Sequence, residues 1–333
     1  MTTLRIGLLG AAGITGNAVA GPAARGGHRL VVVAARDADR ARSFAAEHGV
    51  ERVAASYDDV LADPEVDLVY NPLANGLHAT WTIRALEAGK NVLCEKPFAA
   101  NGQEARRVAE VARRSPGFVM EAYHYAFHPV MRRVLEIVAS GEIGVLRHVD
   151  ATMIIPAPAD DNPRWSLDLA GGAMMDLGCY SLHAMRLLGA HAGGEPHVVS
   201  GRGAERAGRP GVDEWVQAGL AFPGGASGRA FTHMAGPDVV MELTVVGSVG
   251  RVTAASFVLP HTDDRVEVTT GAGTRTEHLG TRSSYDFQLD ALAAVIADGV
   301  PPPLDVDDAV ATMDLVDASY VAAGFAPRPS SLA

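Results

Sequence analysis

Cysteine is almost missing from this chain: Cys94 and Cys179 are the two it has in 333 residues, and each stands inside an apolar stretch. That excludes a disulfide-stapled scaffold, and both residues read as small buried hydrophobes. Positive charge is also in short supply, with 28 Lys and Arg against 39 Asp and Glu and a formal net charge of -11. A duplex-binding protein needs a basic patch, and none stands out, so no nucleic-acid partner is expected. No apolar run approaches the length of a membrane span, so no membrane partner is expected either. The start, MTTLRIGLLG, lacks the basic region, long apolar region and cleavage site of a secretory signal, which predicts a cytoplasmic protein in a reducing compartment. Internal repeats and long disordered tracts are lacking too; only the tail APRPSSLA is expected to be loose.

What is present is ample apolar material, 48% of residues, and a length that suggests two domains. In the first third, short apolar runs alternate with helical patterns. The runs are 4–9, 30–35, 66–70, 92–94 and 118–122; helices are expected to about Arg25, to Glu47, over His78–Ala88 and over Gln103–Arg114. This is the pattern of βαβ units on a parallel sheet buried on both faces. After about residue 125 it changes. A helix is expected over Pro129–Ser140, a strand over Leu146–Ile155, and a helix from Gly171-Gly172 to Leu188. Strands and Gly-rich turns then alternate from His197 to His278, as in a mostly antiparallel sheet, before two last helices, Tyr285–Asp298 and Val306–Ala323. The expected fold class is α/β: a Rossmann domain over 1–123, then an α/β domain over 124–333 with a large open sheet.

The first strand runs into Gly10-Ala11-Ala12-Gly13-Ile14. In a dinucleotide fingerprint, glycines at this turn let a pyrophosphate approach backbone N–H groups at a helix start. The match is imperfect, with Ala12 in the second glycine slot and Thr15 in the third, and such turns also occur for packing alone. Its place, between the first strand and a helix with further βα units behind it, strengthens the reading. The second strand ends Ala34-Ala35-Arg36-Asp37. An NAD site usually carries a carboxylate there for the ribose 2′-OH; Ala35 takes that place and Arg36 follows. A guanidinium suits a 2′-phosphate, with Arg40 one turn on, so NADP(H) is expected over NAD(H), which stays possible. The plainer alternative makes Arg36 a solvated helix-start residue and Asp37 an ordinary N-cap.

The stretch NVLCEKPF puts Glu95, Lys96 and Pro97 at the mouth of a core strand. Open α/β sheets bind ligands at that edge, whereas an exposed Glu–Lys pair contributes only about 0–1 kcal/mol to stability. Proline restricts the lysine backbone, and the bond between them is a candidate for cis. Some eighty residues later, in GGAMMDLGCYSLHAMRLL, Asp176 and Tyr180 share a helical face with His183 beside them. A carboxylate and a phenol so spaced suit acid/base work opposite Lys96, because a nearby ammonium lowers a phenol's pKa. A satisfied polar pair in a core helix is the alternative. Further polar and aromatic candidates for a pocket are Tyr123, His124 and His128 in EAYHYAFHP, and Arg164 and Trp165 in NPRW. No histidine spacing matches a metal motif such as H-E-x-x-H, so no metal is expected.

These stretches (the glycine turn, HATWTIRALEAGKNVLCEKP, GGAMMDLGCYSLHAMRLLG and SSYDFQLDALAAVI) resemble the Gfo/Idh/MocA oxidoreductase family over nearly the whole chain. The D-x-G-x-Y form of the second motif is most similar to the branch with dihydrodiol dehydrogenase and NADP-dependent D-xylose dehydrogenase. The resemblance implies a Rossmann domain, then an open antiparallel sheet that often makes a homodimer interface. It implies that Glu95 contacts the nicotinamide ribose and that Lys96 lies at the reacting carbon. Asp176 would orient the lysine or bind substrate hydroxyls, and Tyr180 would exchange the proton with the substrate oxygen. Asn75 and His78, in NPLANGLH, match the stretch near the nicotinamide. One departure is Ala126, where relatives commonly carry arginine. The implied activity is NADP-dependent hydride transfer at a CH–OH carbon of a sugar, sugar derivative or cyclic diol. Two alternatives stay open: a nucleotide-binding regulator or redox sensor, and a glycosidase-like enzyme that recycles NAD.

Overall fold

A computed structural model describes residues 2–332. The chain folds as two compact units. One runs through Tyr123 and takes in Tyr285–Ala311 and the end from Ser330; the other comprises His124–Ser284 and Thr312–Pro329.

The first unit holds β1 (Arg5–Leu9), β2 (Arg29–Ala34), β3 (Arg52–Val53), β4 (Leu68–Asn71), β5 (Asn91–Cys94) and β6 (Val119–Glu121), with α1 (Gly21–Gly26), α2 (Ala38–His48), α3 (Tyr57–Ala62), α4 (His78–Glu87) and α5 (Gly102–Ala112) between them. The sheet is parallel in the order β3-β2-β1-β4-β5-β6. β1, β2, β4 and β5 are buried almost throughout, which is why their sequences read as continuous apolar runs rather than alternating ones. Each fully buried Leu, Val or Ile contributes roughly 1.5–3 kcal/mol. Local chemistry sets the helix starts: Asp37 caps α2 by accepting from the N–H groups of Asp39 and Arg40, and Asn101 caps α5 through Glu104. Ser56 and Asp59 form a capping box on α3. β3 and α3 lie in a stretch where no element was expected from the sequence, because a two-residue strand and a six-residue helix carry too little periodicity. The strand order reverses between β1 and β4, and the crevice outside their carboxyl ends is where such sheets take ligands.

The second unit holds α6 (Pro129–Ala139), β7 (Leu146–Ile154), α7 (Cys179–Leu187), β8 (His197–Glu205), β9 (Asp213–Ala221), β10 (Ser227–His233), β11 (Val240–Gly247), β12 (Gly250–Ala254), β13 (Arg265–Thr270) and β14 (Gly273–His278). Its sheet order is β14-β13-β12-β11-β7-β10-β9-β8. All neighbours are antiparallel except β7 and β10, which run parallel. Helices α6 and α7 cover one face, where Val149, Ala151, Val216, Ala218, Val252 and Val268 are buried. The other face is polar: Arg229 is bidentate to Asp150, and Thr244 bonds Thr253 across strands at 2.9 Å. The chain finishes with α8 (Ser284–Asp298) and α9 (Val306–Ala322).

Through Leu332 the tail is held rather than loose; Ala333 lies outside the described residues. Arg328 is buried within the second unit. In the first unit, Glu104 accepts from the Ser330 hydroxyl at 2.8 Å and from the Ser331 N–H at 2.5 Å. A polar, proline-containing tail looks unstructured by composition; long-range partners order it, and composition does not report those.

Candidate active site

In the first unit, Gly10 follows β1 with φ +92°, a backbone conformation that favours glycine. A Cβ there would also stand 3.2 Å from Leu73 Cδ2 and 3.7 Å from the Tyr57 hydroxyl. The turn closes with the Thr15 N–H donating to the Ala12 carbonyl at 3.0 Å. Gly13 and Ile14 are exposed, with open space around Gly13. The chain then enters a π-turn, Gly16–Ala20, rather than a plain α-helix. The Thr15 hydroxyl is buried with no hydrogen-bond partner, an unusual state for a polar atom. A tight turn, open backbone and an unsatisfied hydroxyl fit a loop that takes a pyrophosphate. Arg36 and Arg40 are exposed at the end of β2 and the start of α2, and among the described residues neither is held in an ion pair, so both guanidinium groups can meet an anion. Tyr57 was not expected here. Burial pushes its pKa up, against the opposing pull of Arg36. Its position after the Ser56 cap was the available signal.

The stretch NPLANGLH follows β4. Asn71 donates to the His78 carbonyl and to the Thr82 hydroxyl, both at 3.1 Å. Asn75 is half-buried in the short turn Asn75–Leu77. His78, expected beside a cofactor, is buried; its Nδ1 lies 2.7 Å from the Pro97 carbonyl and its Nε2 2.8 Å from the Leu73 carbonyl. Burial pushes the imidazole pKa down and the two carbonyls pull it back. The ring thus stands between the two loops at the sheet edge; the neutral imidazole donates to one of the two carbonyls, the imidazolium to both. Glu95 accepts from the Tyr70 hydroxyl at 2.8 Å, which fixes the carboxylate; Lys96 beside it is half-buried, and the Lys96–Pro97 peptide is cis. Cys94 is a free, buried thiol whose pKa burial raises, so it is inert.

In the second unit, Gly171-Gly172 leads into a π-turn, Met174–Gly178, and then α7. Asp176 lies in the π-turn and Tyr180 in the first turn of α7. Arg164 is ion-paired with Asp176 at 2.8 Å. The Tyr180 hydroxyl is 3.3 Å from His124 Nε2, and His124 Nδ1 is 2.8 Å from the Ser284 hydroxyl. Arg164, Asp176, Tyr180 and His124, all predicted, therefore fall into two bonded pairs one turn apart. His183 is directed elsewhere: its Nδ1 is 2.7 Å from the Tyr125 hydroxyl. Trp165 is buried, donates its indole N–H to the Pro158 carbonyl at 3.2 Å, and lies under Arg206. Tyr123 is fully buried. His128 caps α6 by accepting from the Val130 N–H. Tyr125 and Ser284 were missed; nothing local in the sequence ties Ser284 to His124.

Comparison with known proteins identifies the family. Residues 4–123 match the oxidoreductase family with an NAD-binding Rossmann fold, Gfo/Idh/MocA, and residues 131–253 match its C-terminal domain. A D-xylose 1-dehydrogenase (NADP(+)) of Haloferax volcanii is 33% identical over 96% of this chain and 97% of its own. The chain belongs to the Gfo/Idh/MocA family. Another family member, a trans-1,2-dihydrobenzene-1,2-diol dehydrogenase of Xenopus laevis, is 29% identical over 74% of this chain and 78% of its own. A solved 3-ketoreductase of Actinomadura kijaniata, in complex with NADP and TDP-benzene, matches with a TM-score of 0.87 at 28% identity, over 96% of this chain and 98% of that one. As a Gfo/Idh/MocA member the chain is an oxidoreductase with a dinucleotide-binding Rossmann domain. No helix among the described residues is long and apolar enough to cross a membrane.

Proposed function

We propose that this chain is an NADP-dependent dehydrogenase or reductase acting on a CH–OH or carbonyl carbon of a sugar, sugar derivative or cyclic diol. Residues 1–123 serve as its nucleotide-binding domain and 124–333 as its substrate-binding and dimerisation domain. The carrying observation is the placement of Tyr180 and Asp176 one turn apart, each with a polar partner, Tyr180 with His124 and Asp176 with Arg164. The reading is supported by these two groups standing in a chain of an oxidoreductase family.

The dinucleotide, when bound, supplies or takes up the hydride. The turn Gly10-Ala11-Ala12-Gly13-Ile14 offers it backbone N–H groups, and Arg36 with Arg40 favours a 2′-phosphate. Glu95, held by Tyr70, accepts from a ribose hydroxyl, with Asn75 close by in sequence to His78. Lys96 places a positive charge at the reacting oxygen, and Tyr180 exchanges the proton with that oxygen. Asp176 and Arg164 bind substrate hydroxyls; Tyr123, Trp165 and His183 shape the surroundings. The substrate class is supported by the named activities of the Haloferax and Xenopus relatives. A cytoplasmic homodimer, joined through the polar face of the second unit's sheet, completes the proposal.

The test is a titration of the purified chain with NADPH and NADH, read by nicotinamide fluorescence, then assays with aldoses, ketoses and cyclic diols. Tighter NADPH binding with turnover of a panel member is expected. Failure to bind either nucleotide overturns the reading at the glycine turn.

A further inference from the structure

We propose that His124 is the second station for the proton that Tyr180 exchanges, so that the proton passes between the Tyr180 oxygen and His124 Nε2 while Ser284 holds the imidazole in place. This rests on the assignment of Tyr180 as the group that exchanges a proton with the substrate oxygen.

The three side chains form a line. Tyr180, His124 and Ser284 are 6, 1 and 0 % exposed. The Tyr180 oxygen is 3.3 Å from His124 Nε2, and His124 Nδ1 is 2.8 Å from the Ser284 oxygen. The first distance is long for a hydrogen bond at rest but within the range that tightens when substrate binds. A phenol this buried that gave away its proton with no base or acid beside it would be left as a buried anion, an unfavourable state. An imidazole is the one side-chain type whose ordinary pKa, about 6.5, lets it give or take a proton near neutrality. In the Nδ1–H tautomer, which the proposal assigns, the Ser284 oxygen accepts from Nδ1 and Nε2 faces the phenol oxygen. Ser284 stands at the start of α8 and His124 opens the turn His124–Phe127, so both are carried on ordered backbone.

In the oxidation direction the substrate O–H bond breaks and its proton goes to the Tyr180 oxygen. The Tyr180 O–H bond breaks in the same movement and its proton goes to Nε2. The imidazole becomes imidazolium, with Nδ1–H still on Ser284, and later releases one proton to water. The two electrons leave the substrate carbon with the hydride, to the oxidised dinucleotide of the proposed reaction. In reduction each proton moves the other way, from imidazolium Nε2 to Tyr180 and from Tyr180 to the new hydroxyl. Oxidation therefore uses neutral His124 and falls as pH drops through the imidazole range; reduction uses the cation and falls as pH rises.

The other titratable or charged groups on these elements are Asp176, paired with Arg164, the Tyr125–His183 pair, Cys179 and Arg186 on α7, and Tyr285, Asp286, Asp290 and Asp298 on α8. The Tyr125 ring meets Tyr180 edge-on at 5.8 Å between centroids. His124→Gln keeps a hydrogen-bonding side chain but cannot take a proton, and leaves these groups in place.

The experiment has two readouts on the full chain. Histidine NMR titration without cofactor follows the His124 ring, assigned with H124Q, in wild type, Y180F and S284A. Steady-state oxidation by NADP+ over pH 5.5–9, with the panel substrate of highest rate, is measured for wild type, H124Q, S284A and Y180F. The expected result is a His124 titration that shifts in Y180F and changes tautomer in S284A. H124Q is expected to lose about tenfold or more in kcat with KM little changed, and to lose the acid limb of the wild-type profile. S284A, in which His124 remains, keeps folding but moves that limb. The proposal is overturned if H124Q keeps the wild-type kcat and acid limb while Y180F loses turnover. Wild-type turnover in Y180F would instead remove the Tyr180 assignment, and this inference with it.

Discussion

Arg328 is ion-paired with Asp213 inside the second unit, with side chains 1 and 0 % exposed. Asp213 also accepts from the Met174 N–H at 2.7 Å and from the Tyr320 hydroxyl at 2.9 Å. Arg328 donates to the Gly211 carbonyl and lies over the Tyr320 ring at 4.1 Å. Met174 opens the turn that carries Asp176, so the end of the chain helps to pin the start of the candidate catalytic helix. Removing one partner of a buried, hydrogen-bonded pair costs about 3–5 kcal/mol. Arg328→Ala is therefore expected to lower the unfolding free energy by that order in denaturant titration; a loss under about 1 kcal/mol would mean the pair is replaceable by water.

Gly172 tests the same junction from the other side. Its φ is +131°, and a Cβ would fall 1.9 Å from Asp213 Oδ1. Gly172→Ala is expected to be as damaging as Arg328→Ala, and the double variant to cost less than the sum, since both break one network. Strict additivity would show that the two act separately.

Arg36→Ala is expected to weaken NADPH binding by roughly ten- to a hundredfold, the size of a lost charge-assisted contact, with NADH binding nearly unchanged. An unaltered ratio of the two dissociation constants would sink the 2′-phosphate assignment.

Lys96→Ala is expected to remove most turnover while NADPH binding stays within a few-fold of wild type. Tyr180→Phe is expected to cut kcat by about a hundredfold or more. A Lys96→Ala enzyme that turns over normally would take Lys96 out of the chemistry.

Glu277 carries a pH prediction. Hydrogen bonds from Arg133 and Arg275 hold its carboxyl down at about 2, against an ordinary 4.5. The folded value lies below the unfolded one, so the contribution is fully present above pH 4.5 and is lost as pH falls toward 2. The pair is partly solvated, so its size is at most about 1 kcal/mol. Glu277→Gln is expected to lower Tm slightly at pH 7, and the difference from wild type should shrink toward pH 2.5. A constant difference would assign the effect to packing instead.

The sequence carried the long apolar strands and the amphipathic helices because period and burial coincide there. It also carried the motif positions, since Glu95-Lys96-Pro97 and Asp176 with Tyr180 are local patterns. It did not carry the partners. Nothing near His78 says that its ring is spent on the Leu73 and Pro97 carbonyls. Nothing near Trp165 says that its indole N–H is taken by Pro158. The tail looked loose because Asp213 and Glu104, which order it, lie more than a hundred residues away. Short elements such as β3 and α3 escaped because two to six residues do not make a period.

The parallel pair β7–β10 is joined by a long crossover. Parallel neighbours need a crossover, and here the intervening chain runs from Ile155 through Ala226, including α7, β8 and β9. Closing so long a loop is entropically slow, and its contacts repay the loss only once α7 has settled against β7 and β10. The segment that bears Tyr180 is thus the connection that makes β7 and β10 neighbours, and α7 within it packs against both strands.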